Sequence, residues 1–188
     1  TTFEELVTEA STVSTGSNGV TFLPYLTGER TPHADANARG VFFGMHGRTE
    51  RAHMTRAVME GVSFALRDSL ELMTDHGVSP SEAIAVGGGT RSNVWLQMIS
   101  DVMSLRIRTV GPLEGAPLGA AMLAAVGVGA FSSVVDAGKA WLTDLEMVEP
   151  DRSQRVAYDD AYDQYRSLYP TLKSSFAEHG RATAPEID

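Results

Sequence analysis

Apolar positions along this chain repeat at two different spacings. From about Glu50 to His76 they recur three and four residues apart: Met54, Val58, Val62, Ala65, Leu66 and Met73, with Ser69 in the same stripe. Arg51, Arg56, Arg67, Asp68 and Glu71 cover the other side. That pattern predicts a long amphipathic helix, capped by Thr49 and stopped at Gly77. Phe3, Leu6, Val7 and Ala10 predict a short helix over Phe3–Ala10 in the same way. Two runs are strand-like instead, Val20–Leu26 and Arg39–Met45, with Pro24 demoting the first to an edge or bulge position. Between them lies a polar loop, Thr27-Gly28-Glu29-Arg30-Thr31-Pro32-His33.

The second half alternates strand and helix. Ile84-Ala85-Val86 is a short apolar run, followed by Gly87-Gly88-Gly89 and a helix carrying Trp95, Met98, Ile99 and Val102. Leu105–Val110 alternates like a strand and ends at Gly111-Pro112. Ala116–Val128 is a helix almost without polar residues, which predicts burial. Ser132 or Ser133 caps a short helix ending near Trp141. Asp151 and Gln154 resemble a capping box for a last helix, with Val156, Ala161, Tyr165 and Leu168 on its apolar face. Pro170 is expected to kink or end that helix, and the tail from Gly180 to be loose. Strand, helix, strand in this order predicts a parallel unit with a right-handed crossover.

Composition narrows the class. The chain has 188 residues, 43% of them hydrophobic and 21% charged, enough to bury a core. A net charge of −9 argues against a nucleic-acid partner, which calls for a basic face. No run of about eighteen apolar residues predicts a membrane span, and no signal peptide is visible at Thr1. The absence of cysteine excludes disulfides and thiolate metal sites and fits a cytoplasmic protein. His33, His46, His53 and His76 lack metal-ligand spacing and read as surface or packing residues, so no metal site is assigned.

Candidate chemistry concentrates at Gly87-Gly88-Gly89. Glycines between a strand and a helix let a ligand approach the backbone, and the helix behind offers free N–H groups and its positive dipole end. The same glycines also suit a plain tight turn, and this stretch alone leaves both readings open. There is no G-x-x-x-x-G-K-[ST] phosphate loop. A dinucleotide fingerprint would need glycine where Ser92 stands, although Glu114 lies about one βα unit further on.

Several stretches together resemble the FGGY family of carbohydrate kinases, and within it the xylulose-kinase branch. Phe22-Leu23-Pro24-Tyr25-Leu26-Thr27-Gly28-Glu29-Arg30-Thr31-Pro32-His33 resembles that branch's form of the segment. Gly40-x-Phe42-x-Gly44-Met45, seven residues, His53-Met54, then Ala57-Val58-Met59-Glu60 satisfies the family's C-terminal signature. Gly87-Gly88-Gly89-Thr90-Arg91-Ser92-Asn93 is similar to its adenosine motif, and Gly115-Ala116-Pro117-Leu118-Gly119 to the segment before its last buried helix. The similarity runs from about Val20 to Leu172.

The resemblance implies an α/β, actin-like ATPase, ribonuclease-H-like lobe with helices packed on a sheet, lacking its first strands. It implies that residues 1–188 are the C-terminal, adenosine-binding lobe of a two-lobe kinase using ATP and Mg²⁺. Gly87, Gly88, Gly89 and Asn93 would bind ATP, Arg30 and Gly119 are cleft candidates, and Glu60 is a structural or cleft-facing partner. The general base and most contacts to the sugar, D-xylulose, would belong to the other lobe, so no catalytic residue is assigned here. Asp35, Asp68 and Asp101 read as loop or solvated-face residues. Kinases of the same family acting on ribulose, gluconate or glycerol are the nearest rivals, and a non-enzymatic actin-like ATP-binding module is a more distant one. A lobe without its first strands would expose a sheet edge and associate, for example as a homodimer, unless another segment covers it.

Overall fold

The computed structural model describes residues 1–109, 115–142 and 146–183. Helix α1 (Phe3–Ser11) opens with a reciprocal capping box: Thr2 Oγ1 accepts from Glu5 N, and the Glu5 carboxylate accepts from Thr2 N. A single 3₁₀ turn at Ser17–Gly19 leads into β1 (Thr21–Leu23), which pairs antiparallel with β2 (Val41–Phe43), Phe22 opposite Phe42. Both strands are shorter than the apolar runs that predicted them. Pro24 follows the last residue of β1, where its missing N–H would interrupt a ladder. Yet β1 is buried at every position, because α2 (Arg51–Asp75) lies across it. Gly61 permits that approach, since a Cβ there would collide with the Phe22 carbonyl oxygen.

The N-cap of α2 is Glu50, not Thr49. Glu50 N donates to His53 Nδ1 (3.1 Å), while Thr49 Oγ1 accepts from His46 N (2.9 Å) and closes the preceding turn. The buried stripe of α2 is also rotated from the one expected. Ala57, Met59, Gly61, Ser63 and Phe64 are buried and Leu66 and Met73 are exposed. Arg56 and Asp68, expected on the solvated side, are buried as well. Packing explains this. Helix α2 touches α1, β1, α3 (Asn93–Met103) and α6 (Arg155–Thr183), so it has more than one covered face and its polar residues must find partners. Asp68 accepts from Tyr162 Oη at 2.6 Å.

Strands β3 (Glu82–Ala85) and β4 (Arg106–Thr109) are parallel, Ala83 opposite Ile107, joined through α3 as the alternation predicted. Strand β5 (Met147–Val148) adds antiparallel to β4, giving the order β3-β4-β5. Among the described residues β3 is therefore an edge, with Ile84 and Val86 exposed. Leu96, Leu105 and Ile107 form the local core under Ile99, Met103 and Leu70. Val110, Gly111-Pro112 and Glu114 lie outside the described residues.

Helix α4 (Ala116–Gly127) departs most from expectation. Only Met122 is buried; Leu123 is 65% exposed, and Val128 just beyond the helix 82%. Apolar composition makes burial favourable only if a surface is there to receive it, and among the described residues α5 (Val134–Trp141) is its main neighbour. Ser133 caps α5, accepting from Asp136 N.

Helix α6 runs through Pro170 instead of ending near it, and continues past Gly180 to Thr183. Proline removes one backbone donor, but the buried face spans it: Tyr158, Tyr162, Tyr165 and Tyr169 before, Phe176 after. Val156 is exposed, outside this face. The expected Asp151–Gln154 box does not form: Asp151 accepts from Ser153 N, and Gln154 Oε1 accepts from Thr15 Oγ1. His33 stacks on Tyr169 at 3.6 Å between ring centroids, and Asp35 accepts from Tyr169 Oη at 2.9 Å, so the Thr27–His33 loop is anchored on α6.

Candidate functional site

Val86 to Arg91 lie beyond the carboxyl end of β3, where open α/β sheets bind ligands. Gly87 has φ +102° and ψ −176°, a conformation that only glycine adopts readily. Its carbonyl accepts from Thr90 N (3.1 Å) and Thr90 Oγ1 (2.7 Å), which closes the turn. Gly88–Arg91 makes one 3₁₀ turn. Ser92, buried, caps α3 by accepting from Trp95 N (3.2 Å).

The glycines differ in what requires them. Among the described residues, a Cβ on Gly88 would meet no atom within 4 Å, so nothing described in the fold demands glycine there. One on Gly89 would only touch the Trp95 ring at ordinary distance. The bare backbone instead leaves space beside Gly88 among the described residues. Asn93 sits in the first turn of α3, exposed, with no side-chain hydrogen bond among the described residues. A free amide both donates and accepts, as a purine edge requires. Room at the glycines, a free amide and the amino end of an eleven-residue helix together fit a nucleotide.

These residues border two hollows. Gly89 and Thr90 line an apolar cavity of about 300 Å³ with Ile84, Val86, Leu96 and Ile99. Asn93 lines a polar cleft of about 460 Å³ with Thr15, Arg56, Gln97, Asp101 and Tyr158. Arg30 is exposed in the β1–β2 loop, whose backbone is held by Glu29 accepting from Thr31 N (2.6 Å) and His33 N (2.8 Å). Gly119 is exposed in α4. Neither is joined to the glycine turn by a hydrogen bond, ion pair or ring contact among the described residues.

Glu60 is 2% exposed and fully engaged. It accepts from Arg56 Nε (2.7 Å), Gly16 N (3.0 Å) and Ser17 Oγ (2.8 Å), tying α2 to the turn before β1. Burial pushes its carboxyl above the ordinary range, against the pull of Arg56. Arg56 also donates to Tyr158 Oη (3.1 Å), whose pKa burial raises to about 12. Asp101, expected to be solvated, is buried and accepts from Gln97 Nε2 and Asp151 N, each at 2.7 Å; burial raises its pKa too. Sequence reasoning missed these groups as a network. The signals were the four-residue spacing of Arg56 and Glu60 and the repeat of tyrosines at 158, 162, 165 and 169.

Comparison with known proteins gives a consistent picture. The profile of the FGGY family of carbohydrate kinases, C-terminal domain, matches residues 3–128. A xylulose kinase from Staphylococcus epidermidis is 37% identical over 176 residues, covering 94% of this chain and 36% of that protein. The chain thus spans about a third of the length of such relatives. Among solved structures, a ligand-bound xylulose kinase from Lactobacillus acidophilus superposes with a TM-score of 0.85 at 29% identity, over 94% of this chain and 36% of its own. A gluconate kinase from the same organism gives 0.83 at 29% identity, over 94% and 36%. Plasmodium falciparum glycerol kinase with ADP gives 0.73 at 26%, over 88% and 33%.

Proposed function

Because the chain belongs to the FGGY family of carbohydrate kinases, we propose that it is the adenosine-binding lobe of an ATP-dependent sugar kinase acting on D-xylulose. The observation that carries the reading is the β3–α3 turn: Gly87 at positive φ and, among the described residues, space beside Gly88 and an Asn93 amide without a hydrogen bond on the first turn of α3. Gly87, Gly88 and Gly89 let the nucleotide approach the backbone. Asn93 donates to and accepts from the adenine or ribose edge. The amino end of α3 favours the anion.

The reaction of the whole enzyme is transfer of the γ-phosphoryl group of MgATP to the 5-hydroxyl of D-xylulose. Such transfer requires positioning, neutralisation of phosphate charge and a base on the hydroxyl. This lobe supplies the first, for the nucleotide. The base and most sugar contacts belong to the other lobe, and Mg²⁺ is held by the phosphates and that lobe, with no residue of this chain assigned to it. Closure of the two lobes excludes water, which competes with the sugar as acceptor. The Phe22–His33 segment favours xylulose, whereas the gluconate and glycerol kinases among the structural neighbours keep those sugars in the test panel.

The test is ATP-dependent phosphorylation of D-xylulose by the full-length parent protein and by this chain alone. Activity in the full-length protein only is the expected result. Turnover by the isolated chain would mean that a base lies among its own residues and would overturn the division of labour. A full-length protein that phosphorylates gluconate or glycerol but not xylulose would overturn the sugar assignment and leave the lobe assignment standing.

A further inference from the structure

We propose that Trp95 is a positioning residue for the nucleotide: its indole fixes the glycine turn and the Asn93 amide against α2 before a ligand arrives. The inference rests on the nucleotide reading of the β3–α3 turn and assigns a residue that acts through its neighbours, not by touching the ligand.

A turn of three glycines has little to hold its own shape. Each glycine opens backbone conformations closed to other residues. A group that must be ordered on binding also contributes less affinity than one already in place. The hydrogen bonds within the turn are local. Thr90 N and Oγ1 donate to the Gly87 carbonyl, and Ser92 N donates to the Gly89 carbonyl (3.2 Å). They close the turn, but they do not fix where it lies against the rest of the fold.

Trp95 makes that connection. Its backbone N–H donates to the Ser92 cap, which sets the first turn of α3, where Asn93 stands. Its side chain reaches two further elements. The six-membered edge of the indole packs against Gly89, where a built Cβ would lie 3.6 Å from Cε3 and 3.7 Å from Cζ3. Nε1 donates to the Met59 carbonyl in the middle of α2 (3.2 Å). Met59 is buried in the main core, and the half-buried Trp95 packs against that core, its ring 6.4 Å from that of Phe3 in α1. Helix α2 does not need the donor for itself. The Met59 carbonyl also accepts from Ser63 Oγ (2.8 Å), so loss of the indole N–H leaves no buried acceptor empty. The bond instead holds the indole, and through it the turn, in one place.

The test is isothermal titration calorimetry of the full-length parent protein with ADP, at a temperature where circular dichroism shows each variant folded. A purely structural loss leaves affinity unchanged there, because nearly every molecule is competent to bind. Trp95→Leu removes ring and donor and should weaken ADP binding about tenfold or more. Trp95→Phe keeps a ring against Gly89 without the donor and should weaken it about threefold. In an Asn93→Ala background Trp95→Leu should cost about threefold or less, because the amide it places is gone. Should Trp95→Leu fail to fold, Trp95→Phe decides, and unchanged affinity overturns the proposal. Wild-type affinity in both Trp95 variants, or the full loss repeated in the Asn93→Ala background, overturns the positioning role and leaves the nucleotide site standing. An Asn93→Ala protein that binds ADP as the wild type does overturns the nucleotide role of Asn93, and the proposal with it.

Discussion

Replacing Glu60 by alanine removes the acceptor of three donors in one step. Arg56 Nε, Gly16 N and Ser17 Oγ all converge on its carboxylate, and Arg56 is only 8% exposed. The guanidinium would keep its charge with only neutral oxygens around it. Breaking one side of a buried pair costs about 3–5 kcal/mol, most of it the penalty of the charge left behind. The orphaned Gly16 N and Ser17 Oγ add to that loss less than additively, because all three share one site. For a chain of this size the total corresponds to a fall in Tm of about 6–20 °C. Glu60→Gln keeps one acceptor and should lose less, about 1.5–3 kcal/mol. A double change, Arg56→Met with Glu60→Leu, removes both charges and should recover part of the Glu60→Ala loss. Thermal unfolding followed by circular dichroism measures all three. A Glu60→Ala protein melting within about 2 °C of the wild type would refute the structural role.

Other expectations follow the same network and surface. Asp68 has its pKa raised, chiefly by burial, so its ionised form lowers stability and that cost disappears as pH falls and the group protonates. Asp68→Asn keeps an acceptor for Tyr162 Oη; it should melt above the wild type near about pH 8, with the gap closing toward about pH 3.5, and a lower Tm near pH 8 would contradict this. Leu123→Lys on the exposed face of α4 should change the stability of this chain by no more than about 0.5 kcal/mol in urea unfolding; a loss above about 2 kcal/mol would mean that the side chain is packed. Asn93→Ala should weaken ATP binding by about 1–2 kcal/mol in calorimetry, and unchanged affinity would remove Asn93 from the site.

The local grammar of the chain was legible. The parallel β3–α3–β4 unit, the Ser133 cap of α5 and the glycine turn beyond a strand all follow from residues within a few positions of one another. What escaped was set by distant partners. Helix α2 shows a clean amphipathic stripe in sequence, yet it is covered on several sides, so Arg56 and Asp68 are buried against Tyr158 and Tyr162 from the far end of the chain. Pro170 carries a local stop signal, which the aromatic face on both sides of it overrides. Helix α4 misled in the opposite direction: its composition asks for a cover, and its main described neighbour is α5. Gly88 was readable as a site candidate from its place between a strand and a helix, and Asn93 only through the resemblance of Gly87–Asn93 to the family's adenosine motif. The cleft around Asp101 was not, because its walls come from α1, α2, α3 and α6.

The central claim is that the β3–α3 turn receives a nucleotide. Titrating isotope-labelled protein with ADP and following backbone amide resonances tests it most directly. The account predicts saturable shifts centred on Gly87 to Asn93, abolished by a bulky residue at Gly88. Saturable shifts elsewhere with this turn unmoved, or no binding at all, would contradict it.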